Sequence, residues 1–253
     1  MQNPFQKVPK LLNMWNVRYR VNNNKFVVKR SKYKIFIPPI TEDIAYVLGI
    51  ICGDGCLKTP QPRKCGGARF TIAIYFPDSI DGKTQSEYIC ELFRKNFGYT
   101  PMVFKQEKVG KRWLEIRVNS VVIYAYLFCL GLPIGKKYGK LKVPTVVYEK
   151  KLFGRFLQGL VDSDGHFARS GLVIVQKDEI FLNQIVKASL KFLGIKFTPP
   201  KVNTKEVAGK LCKWYYIRSK MYFSSNHIEK LGPGPVSNRS AGKLSQVRAS
   251  DSS

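Results

Sequence analysis

Two long apolar runs dominate the chain, Ile44 to Cys52 and Phe153 to Val161, and each leads into an acid followed by glycine. Runs apolar nearly all round predict buried helices. After each run the pattern changes in the same order. Two strands are expected after each acid-glycine pair, with apolar, β-prone stretches at Phe70–Phe76 in the first copy and Leu172–Gln176 in the second. Helical periodicity returns over Gln85–Phe97 and Ile180–Leu193. Two more strands are predicted at Met102–Lys108 with Trp113–Val118, and at Lys201–Thr204 with Lys213–Arg218. A last helix closes each stretch, Val121–Leu130 and Phe223–Leu231. The plan α-β-β-α-β-β-α therefore occurs twice.

Sequence echoes support a true repeat. Trp113-Leu114-Glu115-Ile116-Arg117 matches Trp214-Tyr215-Tyr216-Ile217-Arg218, and Leu130-Gly131 matches Leu231-Gly232, both at an offset of 101. Gly53-Asp54-Gly55 resembles Ser163-Asp164-Gly165 at an offset of 110, and Phe97-Gly98-Tyr99 resembles Leu193-Gly194-Ile195 at 96. The order is kept and the drift is what loop insertions produce. The expected architecture is α+β: a pseudo-two-fold pair of subdomains, residues 41–145 and 146–232, each with a curved antiparallel sheet. Residues 1–40 hold nine Lys/Arg and no acid. The alternation at Val17, Tyr19 and Val21, and again from Phe26 to Arg30, predicts a basic hairpin or arm. Residues 233–253, rich in Ser, Gly and Pro, read as a flexible tail.

Charge narrows the function. The chain has 253 residues, with 43 Lys+Arg against 17 Asp+Glu, a net charge of +26. A folded chain this basic points to a polyanionic partner. No apolar run reaches the ~18–20 residues of a membrane span, and Gln, Asn, Lys and Pro interrupt residues 1–10, where a signal peptide would need an apolar core. The six cysteines, Cys52, Cys56, Cys65, Cys90, Cys129 and Cys212, form no CxxC pair. With only two histidines, a zinc site at Cys52, Cys56 and Cys65 is disfavoured against free thiols in a reducing compartment. The expected location is the cytoplasm of a prokaryote or an organelle.

The two apolar helices carry the candidate chemistry. Each has small residues four apart, Gly49/Gly53 and Gly159/Ser163, as close helix–helix packing requires. If the helices cross there, their C-terminal ends bring Asp54 and Asp164 together, each before a glycine able to take a left-handed cap. Acids are unfavourable at helix C-termini, and a pair of them more so. A cation between them relieves both, and Mg²⁺ suits two carboxylates completed by water and phosphate. The alternative is that each Asp caps its own turn and the two stay apart.

Leu48-Gly49-Ile50-Ile51-Cys52-Gly53-Asp54-Gly55 and Leu157-Gln158-Gly159-Leu160-Val161-Asp162-Ser163-Asp164-Gly165 both resemble the LAGLIDADG motif. Two copies in one basic chain are similar to the monomeric, two-motif LAGLIDADG homing endonucleases, over roughly Ile40 to Gly232. The resemblance implies a site-specific endonuclease that cuts both strands of double-stranded DNA across the minor groove, leaving short 3′ overhangs. It implies Mg²⁺ as cofactor with Mn²⁺ substituting, a monomer, and no small-molecule substrate. It assigns metal binding to Asp54 and Asp164, with backbone carbonyls offered by Gly53 and Ser163. Asp162 matches an earlier, structural acid whose place in the first copy is taken by Cys52. Gln176-Lys177 resembles the family's Gln-Lys pair, which Phe76-Pro77 replaces in the first half. Lys137, after the last helix of that half, resembles another catalytic position.

Basic residues between apolar ones on the strands, Lys105, Lys108 and Arg117 in one half and Lys201, Lys205, Lys213, Arg218 and Lys220 in the other, are expected to face a DNA major groove. Two such sheets would cover a long site of about 20 bp. Unmatched groove residues in the two halves imply a non-palindromic target. Two other functions fit the same fold: an RNA maturase assisting intron splicing, and a DNA-binding regulator that does not cut. Intein excision is disfavoured, since no flanking splicing blocks are seen.

Overall fold

The computed structural model describes residues 4–22, 25–29, 33–64, 66–168, 171–207 and 210–219. The predicted helix Phe223–Leu231, Lys220 and the tail 233–253 lie outside the described residues.

The first segment is more than an arm. It opens with helix α1 (Pro4–Met14), followed by strands β1 (Tyr19–Asn22), β2 (Lys25–Val28) and β3 (Lys34–Phe36) in a three-stranded antiparallel sheet. The predicted hairpin is present as β1 and β2. The helix is a correction: Val8, Leu11, Leu12 and Trp15 fall at helical spacing, a pattern obscured by the lysines and by Pro9. Val8, Leu12 and Phe26 are fully buried, and Trp15 stacks on Phe70 with ring centroids 4.8 Å apart. The apolar side of this segment thus belongs to the core, while Arg18, Arg20, Lys25 and Lys29 stay exposed.

The first half begins with α2 (Glu42–Asp54), started by Thr41, whose Oγ1 accepts from the Ile44 amide at 3.3 Å. Then come β4 (Gly55–Leu57), a small ribbon of β5 (Gln61–Pro62) and β6 (Ala68–Arg69), β7 (Ile72–Pro77), α3 (Ile80–Phe97), β8 (Met102–Lys108), β9 (Lys111–Val118) and α4 (Val121–Cys129). A short 3₁₀ turn at Thr145–Val147 leads into the second half: α5 (Lys150–Asp164), β10 (Gly165–Ala168), β11 (Gly171–Gln176), α6 (Glu179–Leu193), β12 (Lys201–Val207) and β13 (Lys210–Arg218).

Both main sheets are antiparallel and share one order, β4-β7-β9-β8 and β10-β11-β13-β12. Their registers coincide as well. Gly55 lies opposite Ile74 and Ile74 opposite Ile116; in the second half Gly165 lies opposite Ile174 and Ile174 opposite Ile217. The offsets of 110 at Gly55/Gly165 and 101 at Ile116/Ile217 are therefore structural equivalences, while Leu231-Gly232 lies outside the described residues. The repeated glycines after α3 and α6 are helix stops, Gly98 at φ 65° and Gly194 at φ 69°.

Helices α2 and α5 pack against each other at the centre, and α3 and α6 cover the helix-facing sides of the sheets. A Cβ on Gly49 would sit 2.1 Å from the Phe156 carbonyl oxygen, and one on Gly159 would sit 2.2 Å from that of Tyr46. Tyr46 and Phe156 are themselves repeat partners, so the contact is reciprocal about the pseudo-two-fold axis. Backbone touches backbone, which only glycine permits. One turn further on, Ser163 fills the space left by Gly53: a Cβ there would meet Ser163 Oγ at 1.9 Å.

The expected left-handed caps after the acids are not seen. Gly55 (φ −113°) and Gly165 (φ −104°) are extended and start the next strand directly. Glycine is required there by space, because a Cβ would lie 2.7 Å from the Cα of Ile51 or Val161.

Candidate metal and DNA site

The crossing of α2 and α5 brings both C-termini to one place. Asp164 Oδ2 lies 3.0 Å from where a Cβ on Gly53 would stand, so this carboxylate reaches across to the end of α2. The alternative in which the acids stay apart is not what the fold produces. Burial pushes the Asp54 carboxyl up to about 6, against the lowering influence of the Lys137 ammonium. Burial and the neighbouring Asp54 charge push Asp164 up to about 7, again moderated by Lys137.

Lys137 caps α2. Its ammonium donates to the carbonyls of Ile51 at 3.2 Å and Cys52 at 2.8 Å, and to that of Gly53. Cation and helix C-terminus are complementary, and free carbonyls of the last turn are satisfied. The Gly53 carbonyl, which the resemblance gives as a metal ligand, thus accepts a hydrogen bond from Lys137. The Ser163 hydroxyl turns back along its own helix, donating to the Gly159 and Leu160 carbonyls at 3.0 Å.

On the other side, Gln176 donates from Nε2 to Asp164 Oδ2. The strand register explains its reach: Gln176 follows Ile174 by two residues and so points, like it, toward the helices. Its equivalent Phe76 is buried and offers no donor. Lys137, Lys177, Gln176 and Asp164 all line a cavity of 560 Å³. Trp214 lines it too and was not expected there; its repeat partner Trp113 marked the position without indicating its use. Asp162, the earlier acid of the second motif, accepts from the Tyr46 hydroxyl at 2.7 Å and through its carbonyl from Gln85 at 3.0 Å, ties that join the halves. Cys52 at the equivalent place is buried, with its thiol pushed up to about 12 by burial.

Register also sorts the basic strand residues. Paired residues share a face. Arg117, Lys108, Lys201, Lys205 and Arg218 share the faces of Glu115 and Tyr216, turned away from the helices. Lys105 pairs with the buried Leu114, and Lys213 lies two residues before Tyr215 on the face of Ile217. Both are exposed, but they stand on the helix-facing side. This corrects their assignment to the groove face: alternating Lys/apolar patterns leave the parity undetermined until the register is known.

Two half-buried carboxylates, both raised, form a hard oxygen donor pair that fits a divalent cation such as Mg²⁺. The acids also make a stability signature. Across pH 4–7 the folded chain binds more protons than the unfolded one, whose Asp groups titrate near 3.8. Stability from these groups is full below about pH 3.8 and is lost as pH rises through about 6 and 7. In chelator, the melting temperature is therefore expected to fall between pH 5 and pH 8. A double Asp54→Asn, Asp164→Asn variant should lose most of that slope. Mg²⁺ should raise the melting temperature more at pH 8 than at pH 5, because binding needs both carboxylates deprotonated. Calorimetry across this range checks all three; a flat wild-type profile would contradict the site's electrostatics.

Comparison with protein-family models finds no match, and comparison with curated proteins finds none. Solved structures do match. A variant of the homing endonuclease I-DmoI is similar with a TM-score of 0.52 at 16% identity, over 77% of this chain and 97% of that one. I-DmoI in complex with DNA and Ca gives 0.51 at 15% identity, over 74% and 86%. An I-DmoI variant bound to its nicked target DNA in the presence of Mn gives 0.50 at 16%, over 70% and 88%. The chain has the LAGLIDADG homing-endonuclease fold: mixed α+β, with antiparallel sheets flanking the two motif helices.

Proposed function

We propose that this protein is a divalent-metal-dependent DNA endonuclease that makes a double-strand break in a long, non-palindromic target. The observation that carries the reading is the meeting of Asp54 and Asp164, two half-buried acids held at helix ends between two basic sheet faces. Nothing in folding alone favours such a pair, and a cation bound by both removes their mutual repulsion. The shared fold with I-DmoI, described bound to DNA, supports double-stranded DNA as the partner.

In this reading Asp54 and Asp164 hold Mg²⁺, for which Mn²⁺ substitutes. A bound divalent cation supplies Lewis-acid stabilisation of charge at the phosphate and a more acidic water. The chain's own residues do the rest. Gln176 fixes the orientation of Asp164, Lys137 holds the end of α2 in place, and Lys177 adds positive charge at the cavity mouth. Arg117, Lys108, Lys201, Lys205 and Arg218 follow the major groove on either side, and the exposed Arg18, Arg20, Lys25 and Lys29 contact phosphates beyond. Because one chain supplies both halves, it acts as a monomer and has no symmetry to impose on the DNA.

Incubating the purified protein with a randomised duplex library and Mg²⁺, then sequencing the cut ends, tests this. Expected is a single non-palindromic site of about 20 bp, with one strand cut faster because Gln176-Lys177 has no counterpart at Phe76-Pro77. Absence of cleavage in both Mg²⁺ and Mn²⁺, or a palindromic site cut at equal strand rates, would overturn the proposal.

A further inference from the structure

The groove face of the first half carries a charged cluster that has no counterpart among the described residues of the second half. Glu115 is buried, with 4% of its surface exposed, on the sheet face turned away from the helices. Lys58 donates to its Oε1 at 2.7 Å and Arg117 to its Oε2 at 2.6 Å. The Arg117 guanidinium lies over the Phe104 ring, 4.4 Å from its centroid. Its Nε is buried and has no hydrogen-bond partner. Lys58 in turn lies over the Tyr75 ring at 5.9 Å. Register assigns the repeat partners: Tyr216 for Glu115, Lys201 for Phe104, Ala168 for Lys58 and Arg218 for Arg117. Only the arginine is common to both halves.

A buried acid is costly unless it is fully paired. Here it is paired with the two residues that would otherwise grip DNA, cancelling one of their two charges. That weakens a phosphate clamp. It improves a reader, because a stacked, anchored guanidinium has little freedom left to lose when it binds. Phosphate contacts position a protein, while fixed donors aimed at base edges specify sequence. Two donors side by side match an acceptor pair, and in the major groove that pair is guanine N7 and O6.

Resting on the proposed DNA-binding function, we infer that Arg117 and Lys58 read a guanine in the half-site of the first subdomain, and that Glu115 is the positioning residue that fixes them. Among the described residues the second half has no equivalent of this anchored pair, so this guanine is read on one side of the target.

Selection of bound sequences from a randomised duplex library, in chelator so that cleavage plays no part, tests this with wild type, Glu115→Gln and Arg117→Lys. Wild type should select guanine at one position of one half-site. Arg117→Lys, which keeps the charge but not the planar group anchored on Glu115 and Phe104, should flatten that preference by about tenfold or more while leaving other positions unchanged. Glu115→Gln should flatten the same position and bind unrelated DNA more tightly, since it removes a negative charge from the groove. A merely structural role would weaken binding to every sequence alike. Unchanged preference in Arg117→Lys, or uniform weakening at all positions, would overturn the inference, and this surface variant decides it even if Glu115→Gln fails to fold. Failure of wild type to select any sequence would instead overturn the DNA-binding proposal beneath it.

Discussion

Asp54→Asn and Asp164→Asn are each expected to lower double-strand cleavage by 10³-fold or more, at a cost of several kcal/mol in transition-state stabilisation, while DNA binding stays within about threefold. Asn keeps the shape and removes the charge that would hold a cation. The two variants need not fail in the same way. Asp164 is held by Gln176 and is the more strongly raised acid, whereas Asp54 has only the Lys137 charge to moderate it. Supercoiled plasmid carrying the selected site resolves nicked from linear product; independent cation sites would leave each variant able to nick one strand, a shared site would leave neither cut. Both variants should also be more stable than the parent at pH 8 in chelator, since each removes a charge that burial disfavours. A fully active variant of either acid would remove it from the site.

Gly49→Ala and Gly159→Ala should be among the most damaging single-methyl changes in the chain. Each added Cβ would stand about 2 Å from a backbone carbonyl of the facing helix, at 2.1 Å and 2.2 Å, and neither backbone can step aside alone. The gain in helix propensity is about 1 kcal/mol. Overpacking of a tight core costs about 1–3 kcal/mol and sometimes more, and here the whole helix pair must separate. A net loss of about 3 kcal/mol, or roughly 6–12 °C in melting temperature, is expected. Activity should fall further than stability, because the same separation spreads Asp54 and Asp164. A control at Gly110, where nothing lies within 4 Å, tests the positive-φ cost alone (φ 71°) and should be much milder. Alanine at Gly49 tolerated within 1 kcal/mol would mean the helices can slide.

Much of this was legible because it is local or repeated. Buried helices declare themselves by being apolar all round, strands by their length and β-prone residues, and the two copies reinforce each other at Trp113/Trp214 and Ile116/Ile217. Small residues four apart announced the crossing of α2 and α5, and that crossing announced the convergence of Asp54 and Asp164. Helix α1 was less visible because its apolar face is interrupted by lysines and Pro9, and only the presence of Phe70 and α4 as a surface to pack on makes its burial worthwhile.

What the sequence determined by itself is the repeat, the order of the main helices and strands within each half among the described residues, and the pair of acids, since each follows from side-chain type and spacing along the chain. What only the tertiary structure decided is how distant segments meet. Lys137 could have been any surface lysine until the loop after α4 carried it onto the Ile51, Cys52 and Gly53 carbonyls. The faces of Lys105 and Lys213 depended on strand register, where a shift of one residue reverses every side chain. The pairing of Glu115 with Lys58 and Arg117 joins β9 to the chain following β4. It depends on β7 lying between those strands, a placement set by burial of the whole sheet against its helices and written in no single stretch of sequence.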